Sequence, residues 1–364
     1  MPRYSNLLFY LIDTIGEELL ADKIGKVKNN PKPSIVLNPF FDFILKTTWI
    51  TSDGKIRQNN SQQIANNGYY YFKITCCLFK LLKGDLKLND NYLNEVARRI
   101  FSNGYGPFLV TLNELIAGGY CKHLGLEIKF NSSTQEGRPD LEITHSELGS
   151  FALDAKLVPN KRFLIEHLVL KVREELVDAF SSVSKQNVWV ILKSVDIDEI
   201  KKVLKKVNFN EEKNLRTSNV DIILNSNPVP NSDLQLNILE SRVFIQLGGD
   251  YGSVIDEIKE HITKVIVQSK KVGYKAIPWF MVPLDANRNG IETQVIRMSG
   301  EMYPYYLKLK DDVVFIPFYS IGFEDGKLNY SIDVLQIGSN RLGIKQETFS
   351  KFMKNLITEP EFWL

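Results

Sequence analysis

EGRPDLEITHSELGSFALDAKLVPNKR, residues 136–162, holds two apolar runs on either side of a short polar turn. That pattern predicts a β-hairpin. Each run also carries charge where a strand would bury side chains. Asp140 follows Pro139 in the first, and Asp154 and Lys156 sit inside the second. Alternation along a strand places Phe151, Leu153, Ala155 and Leu157 on one face, and Ala152, Asp154 and Lys156 on the other. Asp154 and Lys156 therefore point the same way, roughly 6–7 Å apart. In the partner strand Asp140 and Glu142 share a face opposite Leu141 and Ile143.

Hairpin pairing brings Asp140 beside Asp154. Two adjacent carboxylates repel unless something positive lies between them. A divalent cation resolves the conflict, and hard oxygen ligands with open water positions suit Mg²⁺. Lys156 would then lie where it orients or helps to activate an attacking water. Upstream, Glu114 falls on the same helical stripe as Val110, Ala117 and Cys121, whose small members let a helix approach a sheet closely. Glu114 is thus a candidate outer ligand, or a ligand to a second metal.

The elements around the hairpin follow from periodicity. PFLVTLNELIAGGYCKHLG (107–125) predicts a helix and LEIKF (126–130) a strand. RFLIEHLVLKVREELVDAFSSVSKQ (162–186) predicts one long amphipathic helix, and NVWVILKSV (187–195) a short, fully buried strand. Residues 1–104 read as helical, with Asp90 as the N-cap of DNYLNEVARRIF. Beyond residue 195, DEIKKVLKKVNF and YGSVIDEIKEHITKVIVQSKK read as helices. VDIILNS, RVFIQLGG, AIPWFMVPL and VVFIPFYSI read as strands, and SNPVPNSDLQ as a loop or lid. A boundary falls near residue 210, or the sheet continues past it.

The 364 residues carry a formal charge of +2, so no basic tail announces nucleic acid, although a local patch is compatible with that balance. Cys76, Cys77 and Cys121 match neither a disulfide framework nor a zinc site and fit a reducing, cytoplasmic setting. The N-terminus is interrupted by Asp13, Glu17 and Glu18, unlike a signal peptide, and no apolar run is long enough for a membrane span.

Pro139–Asp140, then Asp154–Ala155–Lys156, with Glu114 upstream, resembles the PD-(D/E)XK phosphodiesterase superfamily, the restriction-endonuclease-like nucleases. The expected order of helix, three strands, helix, strand over residues 105–195 is similar to that superfamily's core. The resemblance implies Mg²⁺-dependent hydrolysis of phosphodiester bonds, usually in DNA, with Mn²⁺ as a substitute. It implies that Asp140 and Asp154 hold the metal and that the Ala155 carbonyl is a third ligand. Lys156 would position water and steady charge on the phosphate, and Glu114 would assist with metal or water. The Gln-x-x-x-Tyr signature of one exonuclease branch is absent; Gln186 sits only at the expected helix end.

Other features carry plainer readings. Asp154 and Lys156 would be an exposed pair if their strand lay at a sheet edge. Gly248, Gly249 and Gly252 match no phosphate-binding motif and read as a turn, with nucleotide binding as the sharper alternative. His123, His145, His167 and His261 form no ligand or triad spacing. ANRNG (286–290) with IETQ reads as a hairpin or loop. Arg138, Lys161 and Arg162 flank the candidate site and would clamp DNA phosphates, and KKVLKK (201–206) extends the basic track or is a solvated face.

The expected architecture is α/β. A helical N-terminal domain (1–104) precedes a restriction-endonuclease-like core with a mixed sheet (105–210) and an α/β C-terminal domain or extension (211–364). The expected activity is a metal-dependent deoxyribonuclease, an endonuclease before an exonuclease. It would act as a restriction or antiviral-defence effector, as a homodimer or with a regulatory partner. The alternative is a non-catalytic nucleic-acid-binding or assembly subunit of the same fold.

Overall fold

The structure is a computed structural model. It describes residues 4–30, 35–58, 67–132, 137–158, 161–180, 187–207, 214–225, 234–238, 241–248, 254–282, 291–309, 311–324, 327–336 and 342–358. The N-terminal region comprises α1 (Tyr4–Ile15), α2 (Glu17–Lys28) and α3 (Pro39–Thr47), a small hairpin of β1 (Thr48–Ile50) and β2 (Ile56–Gln58), then α4 (Asn67–Lys87) and α5 (Asp90–Ile100). The first helical pattern breaks at Gly16, whose φ of 90° ends α1 and starts α2. The N-cap of α5 is Asn89, one residue before the expected Asp90. Its side chain accepts from the Tyr92 N–H, which leaves Asp90 in the first turn.

Next come α6 (Tyr105–His123), β3 (Glu127–Phe130), β4 (Leu141–His145) and β5 (Gly149–Leu157). The predicted hairpin is formed, with Leu141 opposite Leu153 and Ile143 opposite Phe151. Gly149 takes φ 82° at its turn, and His145 Nδ1 accepts from the Glu147 and Leu148 N–H groups. α6 is buried almost all round, because it lies between the N-terminal helices and the sheet. Gly118 permits that approach. A Cβ there would stand 2.6 Å from the Phe130 ring and 3.1 Å from Leu141.

The expected single helix after β5 is two, α7 (Lys161–Lys171) and α8 (Arg173–Phe180). β6 (Asn187–Leu192) follows, then α9 (Ile197–Leu204), β7 (Asn214–Arg216), β8 (Val220–Asn225), β9 (Leu234–Ile238) and β10 (Ser241–Leu247). The chain continues through α10 (Val254–Lys271), β11 (Lys275–Met281), α11 (Ile291–Tyr306), β12 (Phe315–Glu324), β13 (Lys327–Gln336) and α12 (Gln346–Thr358). IETQ thus opens a helix rather than a hairpin or loop, whereas ANRNG lies outside the described residues.

Two larger sheets result. One has the order β13-β12-β11-β5-β4-β3, the other β7-β8-β6-β10-β9. This corrects the expectation that β6 completes the sheet of the hairpin. β6 pairs with β8 and β10, and the place beside β5 is taken by β11, in parallel from Lys275↔Phe151 to Met281↔Leu157. β6 is also only half buried, by alternation, because the apolar core of its sheet lies on one face. The expected boundary near residue 210 therefore divides one sheet, with β6 before it and β7 to β10 after it. Nor do residues 1–104 have a core of their own. α1, α3, α4 and α5 share one continuous apolar core with α6, α12 and one face of the six-stranded sheet.

That sheet is sandwiched. Leu153, Ala155, Leu157, Ile277, Trp279 and Met281 join the core under α6. Ala276, Phe280 and Val282 face a second core built by α10 and α11. Pro278 sits inside β11, where proline removes a ladder donor. The pairing with β12 is broken beside it: Ala276 bridges Val313 but Phe280 pairs with Phe318, so β12 carries one extra residue over that span.

Candidate active site at the hairpin

β5 is an interior strand, with β4 on one side and β11 on the other. Topology thereby excludes the edge-strand reading of Asp154 and Lys156. Asp154 and Lys156 alternate with Leu153, Ala155 and Leu157, and so stand on the face that α10 and α11 cover. Asp140 immediately precedes β4. Leu141 pairs with Leu153, so one step further along the ladder brings Asp140 level with Asp154. The Asp140 backbone is pinned from the other side. Its carbonyl accepts from the Asn131 N–H at 2.9 Å, and Asn131 Nδ2 donates to the Pro139 carbonyl at 3.0 Å and to Glu142 Oε1 at 3.1 Å.

The two carboxyl groups meet. Asp140 Oδ2 accepts from the Ala155 N–H at 2.9 Å, and Asp154 is hydrogen-bonded to Asp140. A carboxyl–carboxyl hydrogen bond needs a proton on one partner. Burial, then the Asp140 charge, pushes Asp154 well above the ordinary carboxylate range, with Glu114 adding to the shift and Lys156 opposing it. Ala155 thus contributes its N–H to the site. Lys156 is exposed on the same face.

Glu114 approaches from α6, on the opposite side of the sheet, and is 2% exposed. Its oxygens are both engaged. Oε1 accepts from Arg99 Nη1 at 2.7 Å, and Oε2 accepts from the Tyr92 hydroxyl at 2.8 Å. Arg99 also pairs with Glu95, whose other oxygen accepts from the Ser132 hydroxyl at 3.4 Å. Burial and the neighbouring Asp140 charge push Glu114 up to about 8, while Arg99 and Tyr92 pull it down. Glu114 is therefore electrostatically part of the aspartate pair but held by α5. Among the described residues no group of three or more His, Cys, Asp or Glu side chains is arranged to hold a metal ion.

Sequence reasoning missed Tyr92, Arg99 and His261. Arg99 stands four residues after Glu95, an i,i+4 pair visible in the sequence, but its hold on Glu114 is a contact between helices. His261 lies on α10, edge-on to Phe280, the β11 residue paired with Lys156. Among the described residues its buried Nε2 has no hydrogen-bond partner. Burial, then the nearby Lys156 and Lys264, pushes its imidazole down to about 3, so it is neutral above that pH. His123 sits against Phe352, His145 shapes the hairpin turn and His167 is exposed, so these three lie outside the site.

Of the expected basic residues, Arg138 is exposed and lies 4.0 Å from Glu142. Lys161 and Arg162 open α7, and their side chains lie outside the described residues. Lys201 and Lys205 of the basic helix α9 pair with Glu175, and Lys202 with Glu199. These pairs favour the solvated-face reading. Gly249 and Gly252 of the glycine-rich turn lie outside the described residues. The three cysteines are buried, and burial pushes the Cys77 and Cys121 thiols up to about 11 and 12, away from nucleophilic use. No described helix is long and apolar enough to cross a membrane.

Comparison with protein-family models, with curated proteins and with solved structures returned no match for this chain. The functional reading therefore rests on the residues and their geometry.

Proposed function

We propose that this chain is a divalent-cation-dependent phosphodiesterase acting on DNA, an endonuclease with a restriction-endonuclease-like core. The observation that carries the reading is the meeting of Asp140 and Asp154 on an interior strand, with exposed Lys156 on the face of Asp154. Two carboxyl groups brought together in this way are a donor set that a hard cation satisfies. Asp140, Asp154 and the Ala155 carbonyl would hold Mg²⁺ or Mn²⁺. A bound cation would supply positive charge to both the carboxylates and a phosphodiester oxygen. Lys156 adds a fixed charge for the phosphate, worth more beside a low-dielectric wall than in water. The Ala155 N–H fixes the rotamer of Asp140, and neutral His261 adds no charge of its own beside the ammonium of Lys156.

The topology supports the same reading once the second sheet is counted as an insertion. α6, β3, β4, β5, α10 and β11 then give helix, three strands, helix, strand, in the sheet order β3-β4-β5-β11. The insertion joins the strand of Lys156 to the helix of His261, a placement suited to a module that governs access or target choice. A restriction or defence role accords with such an elaborated chain.

Supercoiled plasmid incubated with wild type and Lys156→Ala in Mg²⁺, Mn²⁺ or EDTA tests the proposal. Nicking or linearisation by wild type alone, lost in EDTA, is the expected result; equal cutting by both proteins would refute the role of Lys156. The second reading, a non-catalytic DNA-binding subunit, has one observation in its favour: Glu114 is occupied by Arg99 and Tyr92. It predicts DNA binding with no cutting in either metal.

A further inference from the structure

Asn131 follows β3 directly and is 3% exposed. Its N–H donates to the Asp140 carbonyl, one step beyond the pair Phe130↔Leu141, so Asn131 stands opposite Asp140. Asp140 in turn is level with Asp154. Alternation from Lys129, which pairs with Glu142, places the Asn131 side chain on the face of Asp154. An amide and two carboxyl groups thus form one row across β3, β4 and β5. Asn131 Nδ2 donates to the Pro139 carbonyl at 3.0 Å and to Glu142 Oε1 at 3.1 Å. These two acceptors fix the orientation of the amide, because its oxygen could bond to neither. Oδ1 is therefore turned away from both. It is buried and has no hydrogen-bond partner among the described residues. A buried acceptor without a donor costs free energy. The bonds from Nδ2 account for the nitrogen and leave the oxygen without a use inside the fold.

We propose that Asn131 Oδ1 is an outer ligand of the divalent cation, accepting a hydrogen bond from a water in the ion's shell. The inference rests on the reading that Asp140 and Asp154 hold that cation. Neighbouring strands lie about 4.8 Å apart, which sets Asn131 about 10 Å from Asp154 across the row. An ion about 2.1 Å from its own ligands and in contact with Asp154 does not reach Asn131 directly. A water closes the difference, and Mg²⁺ keeps several. An amide oxygen accepts such a water without adding charge beside carboxyl groups that already repel. Glu142, the next carboxylate along this face, is engaged by Asn131 Nδ2 and lies 3.6 Å from Lys129. The Asn131 oxygen is thus the acceptor turned elsewhere on that side. Asn131 is a positioning residue, which orients the ion's shell from beyond Asp140.

Calorimetric titration of the full chain with Mn²⁺ tests the proposal. Asn131→Leu removes the oxygen at similar size and should weaken binding about tenfold or more, the usual effect of losing an outer ligand. Asn131→Asp also loses the bonds from Nδ2, but it puts a charged oxygen in the row and should bind Mn²⁺ more tightly than wild type. A purely structural role predicts weaker binding in both, because both lose Nδ2. Weaker binding by Asn131→Asp would therefore overturn the proposal. So would unchanged affinity in Asn131→Leu, which would leave Oδ1 with a structural water only. If either variant melts too low to titrate, the rise of its Tm with Mn²⁺, set against that of wild type, gives the same comparison. Asp154→Asn in the same titration separates the two ideas. Binding that survives Asp154→Asn would sink the cation reading at the hairpin. Binding lost in Asp154→Asn but unchanged in Asn131→Leu would sink only the role of Asn131. None of these readouts depends on nuclease activity.

Discussion

Replacing Asp140 with asparagine should stabilise the metal-free protein at alkaline pH while removing a ligand of the proposed cation site. Glu114 rises from the ordinary 4.5 to about 8, first through burial and next through the Asp140 charge, and Asp154 is raised by the same two causes. Between pH 4.5 and 8 the folded state therefore holds a proton at Glu114 that the unfolded state has lost. Stability from this group is fully present below 4.5 and falls as pH rises to 8. The loss over that window is about 5 kcal/mol, from about 1.36 kcal/mol per pH unit. Burial accounts for the larger part and survives the substitution. The share of Asp140, summed over Glu114 and Asp154, is about 1–2 kcal/mol. Asparagine keeps an oxygen to accept the Ala155 N–H, so the hairpin contact is retained. Thermal melts in EDTA at pH 9 should show the Asp140→Asn protein about 1–3 °C above wild type. At pH 5.5, where Glu114 is protonated, the share of the gain that comes from Glu114 should vanish. Equal gains at both pH values, or a loss at pH 9, would refute the electrostatic account of the aspartate pair.

Other consequences are as specific. At pH 9, where Glu114 is ionised, Arg99→Ala leaves a buried carboxylate beside Asp140 with its ion pair broken, and urea unfolding should show a loss of about 3–5 kcal/mol that shrinks at pH 6. Adding Glu114→Gln to Arg99→Ala should recover part of that loss, which a purely steric role for Arg99 would not allow. Gly118→Ala forces a methyl into the Phe130 ring and Leu141, and overpacking of that kind should cost about 1–3 kcal/mol in the same assay. Calorimetric titration with Mn²⁺ should give heat with wild type and at least a tenfold weaker affinity with Asp154→Asn. Unchanged affinity would place any cation elsewhere.

The hairpin and the shared face of Asp154 and Lys156 were legible because they are local. A period of two in FALDAKL fixes which side chains face together, and the turn between the strands fixes the pairing that brings Asp140 level with Asp154. Helix α6 was legible for the same reason. Three things were not. Nothing in the sequence separates NVWVIL from KAIPWFM as the strand to lie beside β5, because both are apolar runs that follow a helix. Parallel pairing leaves no turn signal, and the choice was made by packing: β11 brings α10 onto the face of Lys156, whereas β6 belongs to a core of its own. The clamp on Glu114 depends on α5 meeting α6, which no periodicity within either helix encodes. The sequence by itself determined two carboxylates and a lysine at the end of a hairpin. Only the tertiary structure decided that the hairpin lies inside its sheet, that Arg99 and Tyr92 hold the third carboxylate, and that His261 packs on Phe280, the β11 neighbour of the lysine. Side-chain direction follows from backbone geometry one residue at a time, while strand order and helix contacts follow from which distant apolar surfaces exclude water together.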